Sequence, residues 1–268
     1  RIARVRREFG WFHRMTPDYQ AAHPIGPELG QECMAITELS FESPRFDRTH
    51  RLPDYRDWLS GRDRLHSYRI HREVLQHLSW RGPRGRWVLK NPPHSFWLDA
   101  LWTLYPDALF VQTHRDPFTV MASFASHNSR IRRSFTRPDD AGEGPVIAER
   151  WAMGMERVIA FRDRADVPAD RWIDIAYPDL IADPVGEVSR IYSHFGLPLE
   201  ATTESRIRAW AEAHPQYEFG VHDYDPRRFG LDPERHGALF ARYRERFEIE
   251  PTAEDRRLVE TGSKGVGR

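Results

Sequence analysis

Cysteine is nearly missing from this chain of 268 residues: Cys33 stands alone. An internal disulfide is excluded, and the usage fits a reducing, cytoplasmic setting. Lysine is almost as scarce. Of the 40 basic residues only Lys90 and Lys264 are lysines, the rest being arginine. A base-composition bias explains the trend, so a lysine kept at the end of an apolar stretch stands out, because the two cations differ in shape, hydration and ease of deprotonation. Net charge is absent too, with 40 acidic residues against the 40 basic ones, so the totals draw the chain neither to nucleic acid nor to a membrane surface. No apolar run reaches the roughly 20 residues that span a bilayer, which excludes a transmembrane segment of that kind. No set of His, Cys and carboxylate side chains has metal-ligand spacing, and no metal is expected. The first residue is not methionine and no signal-like apolar stretch follows it; the sequence reads as the interior of a longer one.

What is present is a helix-rich α/β pattern. Residues 1–22 read as helical up to the break His23-Pro24-Ile25-Gly26-Pro27, and 28–41 carry apolar residues at helical spacing. Pro53 opens a long arginine-rich helix to about Trp80. "RWVLK" (86–90) reads as a strand, "HSFWLDALWTLY" (94–105) as a helix and "ALFVQT" (108–113) as a second strand. A unit this short predicts adjacent parallel strands. Asp116 then caps a helix with Pro117 at its first position, running to about Arg133. A helix over 146–165, a strand "RWIDIAY" (171–177), a helix capped by Asp183-Pro184, one over 201–213 and one over 233–247 complete the pattern. Residues 1–250 are expected to form one domain, with a flexible tail over 251–268.

Ligands of open parallel sheets bind beyond the carboxyl ends of the strands. Three strands deliver polar groups there: Lys90, Arg115 beside His114, and Tyr177. Two buried like charges on adjacent strands are costly unless an anion lies between them, so Lys90 and Arg115 together point to a phosphate-like ligand. Arg115 offers a planar fork suited to a phosphate, and Ser123 lies two helical turns on. The alternative is that Arg115 pairs with a carboxylate and Ser123 only packs. Tyr177 is equally well read as a packing aromatic.

The run "WVLKNPPHSFWLDALWTLYPDALFVQTHRDPFTVMASF" resembles the bacterial sulfotransferase family, with its Lys-x-Pro, His-Arg-Asp-Pro and following serine. Similarity extends to "HPIGPELGQECMAI", "YPDLIADPVGEVSRIYSHFGLP" and "FGLDPERHGALFARYRERF", and so covers nearly the whole chain in order. The resemblance implies an α/β fold of P-loop NTPase type, a central parallel sheet flanked by many helices. It implies the co-substrate 3′-phosphoadenosine 5′-phosphosulfate, bound without a metal. It places Arg115 and Ser123 on the 3′-phosphate, Lys90 near the 5′-phosphosulfate and Tyr177 beside the adenine. One departure is plain. The family's glycine- and serine/threonine-rich phosphosulfate loop is not found; "TGSKGVGR" (261–268) follows no strand and precedes no helix. An upstream segment is expected to hold that loop, the alternative being a truncated relative without activity.

Sulfuryl transfer to a hydroxyl gains from a general base. His94, just after Lys90, is the first candidate, with ordering of the Asn91–Pro93 turn as its alternative role. His23 is second, and Glu32 stays open. His222 and Tyr224 are placed to close over the donor, and Arg228 or Arg227 to add a phosphate contact, although exposed loop charge explains these equally well. The aromatics Trp11, Phe12, Phe96, Trp97 and Trp102 give weak support to an apolar or aromatic small-molecule acceptor. Two rival readings remain: a non-catalytic nucleotide-binding relative that has lost the donor loop, and a P-loop kinase-like phosphotransferase.

Overall fold

A computed structural model describes residues 2–82, 85–137, 140–220, 222 and 224–263, the last three of these by their backbone alone. The chain forms two compact units. One comprises Arg1–Asp107 and His127–Pro138, the other Ala108–Ser126 and Asp139–Arg268.

The first unit is helical. Helices Ile2–Met15 and Tyr19–Ala22 fill the predicted 1–22 stretch, with a break at Thr16-Pro17, where proline cannot donate to a helical ladder. Over 28–41 only Met34–Thr37 and the 3₁₀ turn Glu38–Ser40 are helical. The predicted helix from Pro53 to Trp80 is two helices, Pro53–Ser60 and Leu65–Ser79. Arg64 interrupts them in a left-handed conformation, φ 64°. Its buried guanidinium lies 4.2 Å from the Trp97 ring centroid and beside Glu42, which offsets the cost of removing the cation from water.

Residues 86–90 are not a strand. Val88 is 92 % exposed, and Trp87 reaches back to donate to Ser79 Oγ at 3.0 Å. A strand exists by exchanging backbone hydrogen bonds with a neighbour. Among the described residues no strand runs beside this segment, and the Lys90 carbonyl instead accepts from the Cys33 amide at 2.9 Å. The two prolines then shape a 3₁₀ turn, Pro92–Phe96, before helix Leu98–Leu104.

The second unit holds the parallel sheet of the α/β fold. β1 (Phe110–His114) pairs in parallel with β2 (Trp172–Ala176), Phe110 opposite Trp172 and His114 opposite Ala176. The Phe110 and Trp172 rings stack at 4.3 Å. After β1 the chain turns as predicted: Asp116 Oδ1 accepts from the Thr119 amide at 3.0 Å, and Pro117–Arg132 is helical. Phe118, Met121, Ala122 and Ala125 of this helix pack with Ile147 and Ala148 of helix Glu143–Arg162 and with Phe229, Leu231 and Phe240. Gly230 makes that packing feasible. Its φ is +73°, and a Cβ there would stand 2.1 Å from the Ala141 carbonyl oxygen.

Further on, Asp183 caps helix Pro184–His194, accepting from the Gly186 amide at 2.9 Å, and Ala201–Ala213 is helical. The helix predicted over 233–247 is two short ones, Pro233–Ala238 and Ala241–Arg246, divided beside the buried Phe240. Residues assigned to a tail form helix Ala253–Ser263; most of "TGSKGVGR" lies outside the described residues. Among those residues no helix is long and apolar enough to cross a membrane, and no cluster of His, Cys and carboxylates could hold a metal.

Candidate active site

The corner after β1 sorts its two basic residues by neighbour. His114 is buried and held at both nitrogens, Nδ1 against the Tyr243 hydroxyl at 2.9 Å and Nε2 against Asp174 Oδ1 at 2.8 Å. Arg162 grips both oxygens of Asp174, at 2.6 and 2.8 Å. Burial would raise the Asp174 pKa, but hydrogen bonds from Arg162 and His114 outweigh it and hold the carboxyl well below its usual range. This network fixes β1 and β2 at their carboxyl ends. His114 is therefore a scaffold residue.

Arg115 faces another set of groups. Its guanidinium lies 4.6 Å from the Tyr177 ring centroid. Its Nη2 is 3.1 Å from Glu254 Oε2 and its Nε 3.5 Å from Asp255 Oδ1, both on helix Ala253–Ser263. Burial alone would lower the Arg115 pKa; the carboxylate field reverses that and strengthens its charge.

Ser123 meets this cluster through Tyr224. The phenol lies beside Ser123, which with the Arg115 charge opposes the effect of burial that pushes its pKa up to about 12. Its hydroxyl also donates to the Thr119 carbonyl at 3.4 Å. His222 lies alongside, Nδ1 3.5 Å from Ser123 Oγ and Nε2 3.0 Å from Ser126 Oγ. Tyr177 accepts from Gln216 at 3.4 Å, leaving its ring against Arg115. Arg115, Ser123, Tyr177 and Tyr224 are thus one group of cation, hydroxyls and aromatic faces. Arg228 is paired elsewhere: its Nε and Nη2 both donate to Asp140 Oδ2, at 3.0 and 2.8 Å. Arg227 is likewise bound to Asp225.

The first unit holds a second group. Lys90 forms an ion pair with Glu32. His23 lies in the field of both, and of Arg48; burial lowers its pKa, Glu32 opposes that, and Lys90 and Arg48 reinforce it. The His23 ring is 5.2 Å from that of His127. His94 is placed differently. Its Nδ1 shares a hydrogen bond with the Tyr68 hydroxyl at 2.6 Å, and burial, helped by His71 and Arg64, lowers its pKa to about 3. His71 repeats the arrangement with the Tyr105 hydroxyl at 2.6 Å and a pKa lowered to about 4 by burial.

The expectation that Lys90 and Arg115 stand on adjacent strands is corrected. The strand paired with β1 is β2, and each cation has its own carboxylate, Glu32 for Lys90 and Glu254 with Asp255 for Arg115. No anion is required merely to keep two cations apart. Glu254 and Asp255 escaped sequence reading because they fell in a stretch assigned to a tail. The signal was present: Thr252-Ala-Glu-Asp255 has the spacing of a capping box, which announces a helix start.

A parallel sheet with a cationic corner at the carboxyl end of one strand has the edge at which open α/β sheets commonly bind ligands. Sequence comparison makes the class specific, since the model of the Sulfotransferase family matches residues 2–201. The chain belongs to that family. It is similar to the omega-hydroxy-beta-dihydromenaquinone-9 sulfotransferase Stf3 of Mycobacterium bovis and of Mycobacterium tuberculosis, at 27 % identity over 58 % of this chain and 40 % of each relative. Among solved structures it is similar to sulfotransferase STF1 of Mycobacterium tuberculosis (TM-score 0.74, 34 % identity, 89 % of this chain and 62 % of that one). It also resembles sulfotransferase STF9 of Mycobacterium avium (TM-score 0.76, 27 % identity, 92 % and 66 %). The match thus spans about two fifths of the length of the curated relatives.

Proposed function

We propose that the chain acts as a sulfotransferase, moving a sulfuryl group from 3′-phosphoadenosine 5′-phosphosulfate to a hydroxyl of a small, apolar acceptor. The observation that carries this reading is the group around Arg115. A guanidinium stacked on Tyr177, with Ser123 and Tyr224 beside it, supplies what a nucleotide bearing a 3′-phosphate requires: a charged fork, hydroxyl donors and an aromatic surface for the base. In this reading Arg115 and Ser123 hold the 3′-phosphate and Tyr177 lies beside the adenine. The acceptor class draws support from the name of Stf3, whose substrate is a hydroxylated menaquinone.

In the reaction the acceptor oxygen attacks sulfur, the bond from sulfur to the bridging oxygen breaks, and that oxygen leaves on the phosphate. Lys90 is assigned to the charge growing on the bridging oxygen. The proton from the acceptor goes to a base, and the surroundings favour His23 over His94. His23 shares its environment with Lys90 and Glu32, whereas His94 is engaged with Tyr68 and has little basicity left. Arg228, paired with Asp140, would join the phosphate only by leaving that partner.

Calorimetry on the chain tests the donor assignment. 3′-Phosphoadenosine 5′-phosphate should bind more tightly than 5′-AMP, without Mg²⁺. Equal affinities would contradict it, and tighter Mg²⁺-dependent binding of ATP would support the phosphotransferase reading instead. Lys90→Ala should lower turnover while leaving binding of 3′-phosphoadenosine 5′-phosphate little changed, because the charge it meets grows only as the bond breaks. In a protein that includes the upstream donor loop, unchanged turnover in a folded variant would remove Lys90 from the chemistry, and binding without turnover in the parent would favour the non-catalytic relative.

A further inference from the structure

The two acidic residues on Arg115 are neighbours in sequence but not in environment. Asp255 is buried, 2 % exposed, and its Oδ2 accepts from both the amide and the hydroxyl of Thr252, at 2.8 and 2.7 Å. The Thr252 hydroxyl accepts in return from the Asp255 amide at 3.2 Å. This reciprocal cap anchors the carboxylate. Its other oxygen, Oδ1, faces Arg115 Nε, and neither atom has a hydrogen-bond partner. Glu254, by contrast, carries a side chain 58 % exposed, has no cap of its own, and lies on Nη2. One carboxylate is built into the fold behind the guanidinium. The other rests on its outer edge, where an incoming phosphate oxygen would compete for the same N–H.

We propose that Asp255 is a positioning residue that aims the Arg115 fork at the 3′-phosphate, and that Glu254 is a displaceable stand-in for that phosphate. The inference rests on the reading of Arg115 as the 3′-phosphate ligand. The buried Asp255 charge, 3.5 Å from Nε, draws that edge of the guanidinium toward itself and turns the two terminal nitrogens away together, the geometry of bidentate phosphate recognition. Without Asp255 the fork is free to turn along the Tyr177 face, and the advantage of a phosphate over a bare ribose hydroxyl shrinks. Without the Glu254 charge the phosphate has no competitor, and the advantage grows. Other titratable groups near Arg115 are the phenols of Tyr177, Tyr217 and Tyr224.

Calorimetry with 3′-phosphoadenosine 5′-phosphate and 5′-AMP, on the chain and its variants at one ionic strength, separates the roles. Glu254→Gln should raise the affinity ratio of the two nucleotides about three- to fivefold, in line with an exposed ion pair, and the gain should fade in high salt. Asp255→Asn should lower that ratio about tenfold, as expected for a buried charged contact. Thr252→Ala removes the hydroxyl half of that anchor while the Thr252 amide still holds Asp255 Oδ2, so it should lower the ratio much less than Asp255→Asn does. Equal behaviour of Asp255→Asn and Thr252→Ala would reduce Asp255 to a structural cap and overturn its assignment. An unmoved ratio in Glu254→Gln would overturn the stand-in role. Arg115→Ala keeps the two levels apart: if it abolishes the ratio while both acidic variants behave as the parent, the phosphate reading stands and this inference fails. If Arg115→Ala itself leaves the ratio intact, the reading beneath it fails.

Discussion

At the scale of single residues, burial rather than sequence neighbourhood decides what a histidine does. His94 follows Lys90 closely in the chain and so attracted the role of base, yet its ring is engaged by the Tyr68 hydroxyl and its pKa lowered to about 3. His71 shares this fate, its pKa lowered to about 4. The consequence for stability has a definite sign. In the unfolded chain both rings take up protons near pH 6.5, whereas in the folded chain they resist until about 4 and 3. Between those limits the unfolded state binds more protons, so stability is fully present above about pH 6.5 and is lost as the pH falls toward 3. Urea denaturation from pH 7 to pH 4.5 should show this loss, and His71→Gln and His94→Gln should each flatten it. A profile unchanged in both variants would contradict the assigned environments. Arg115, on the other hand, was legible as a candidate from its place at the end of an apolar strand, while its carboxylate partners were not, since they are brought to it by a helix some 140 positions further on.

At the scale of elements, local signals read truly where the chain carries its own caps. Asp116-Pro117 and Asp183-Pro184 start helices as expected, because the capping side chain and the preset proline φ act within one turn. Segments whose state depends on a distant partner read less well. Residues 86–90 have the composition of a strand, but a strand requires a neighbour, and none is found among the described residues. The long helix expected from Pro53 breaks where Arg64 turns inward to Trp97 and Glu42, a tertiary preference that helical spacing does not encode. Glycine tells the same story at the Phe229–Leu231 turn. Gly230→Ala places a Cβ 2.1 Å from the Ala141 carbonyl oxygen at a φ of +73°, and should destabilise the fold by about 2–4 kcal/mol through strain and overpacking. The expected fall in the thermal midpoint is larger than that for Gly10→Ala, where a Cβ meets nothing within 4 Å; similar midpoints would refute the close approach.

At the scale of the whole molecule, the candidate residues fall in two separate units. One carries Lys90, Glu32 and His23, and the other carries Arg115, Ser123, Tyr177 and Tyr224 around the carboxyl end of β1. The family was legible because its motifs sit in order along nearly the whole sequence, and the match over residues 2–201 bears that out. Pairing of the cations with Glu32, Glu254 and Asp255 was not legible, because carboxylates are abundant and the capping box at Thr252–Asp255 announces a helix start without naming its partner. The central claim is that Arg115 recognises the 3′-phosphate that separates this donor from other adenine nucleotides. Its most direct test is the affinity of Arg115→Ala for 3′-phosphoadenosine 5′-phosphate and for 5′-AMP, measured against the parent. The account predicts a loss of about 1.5–3 kcal/mol for the first nucleotide and little for the second. An equal loss for both, or no loss for either, would contradict it.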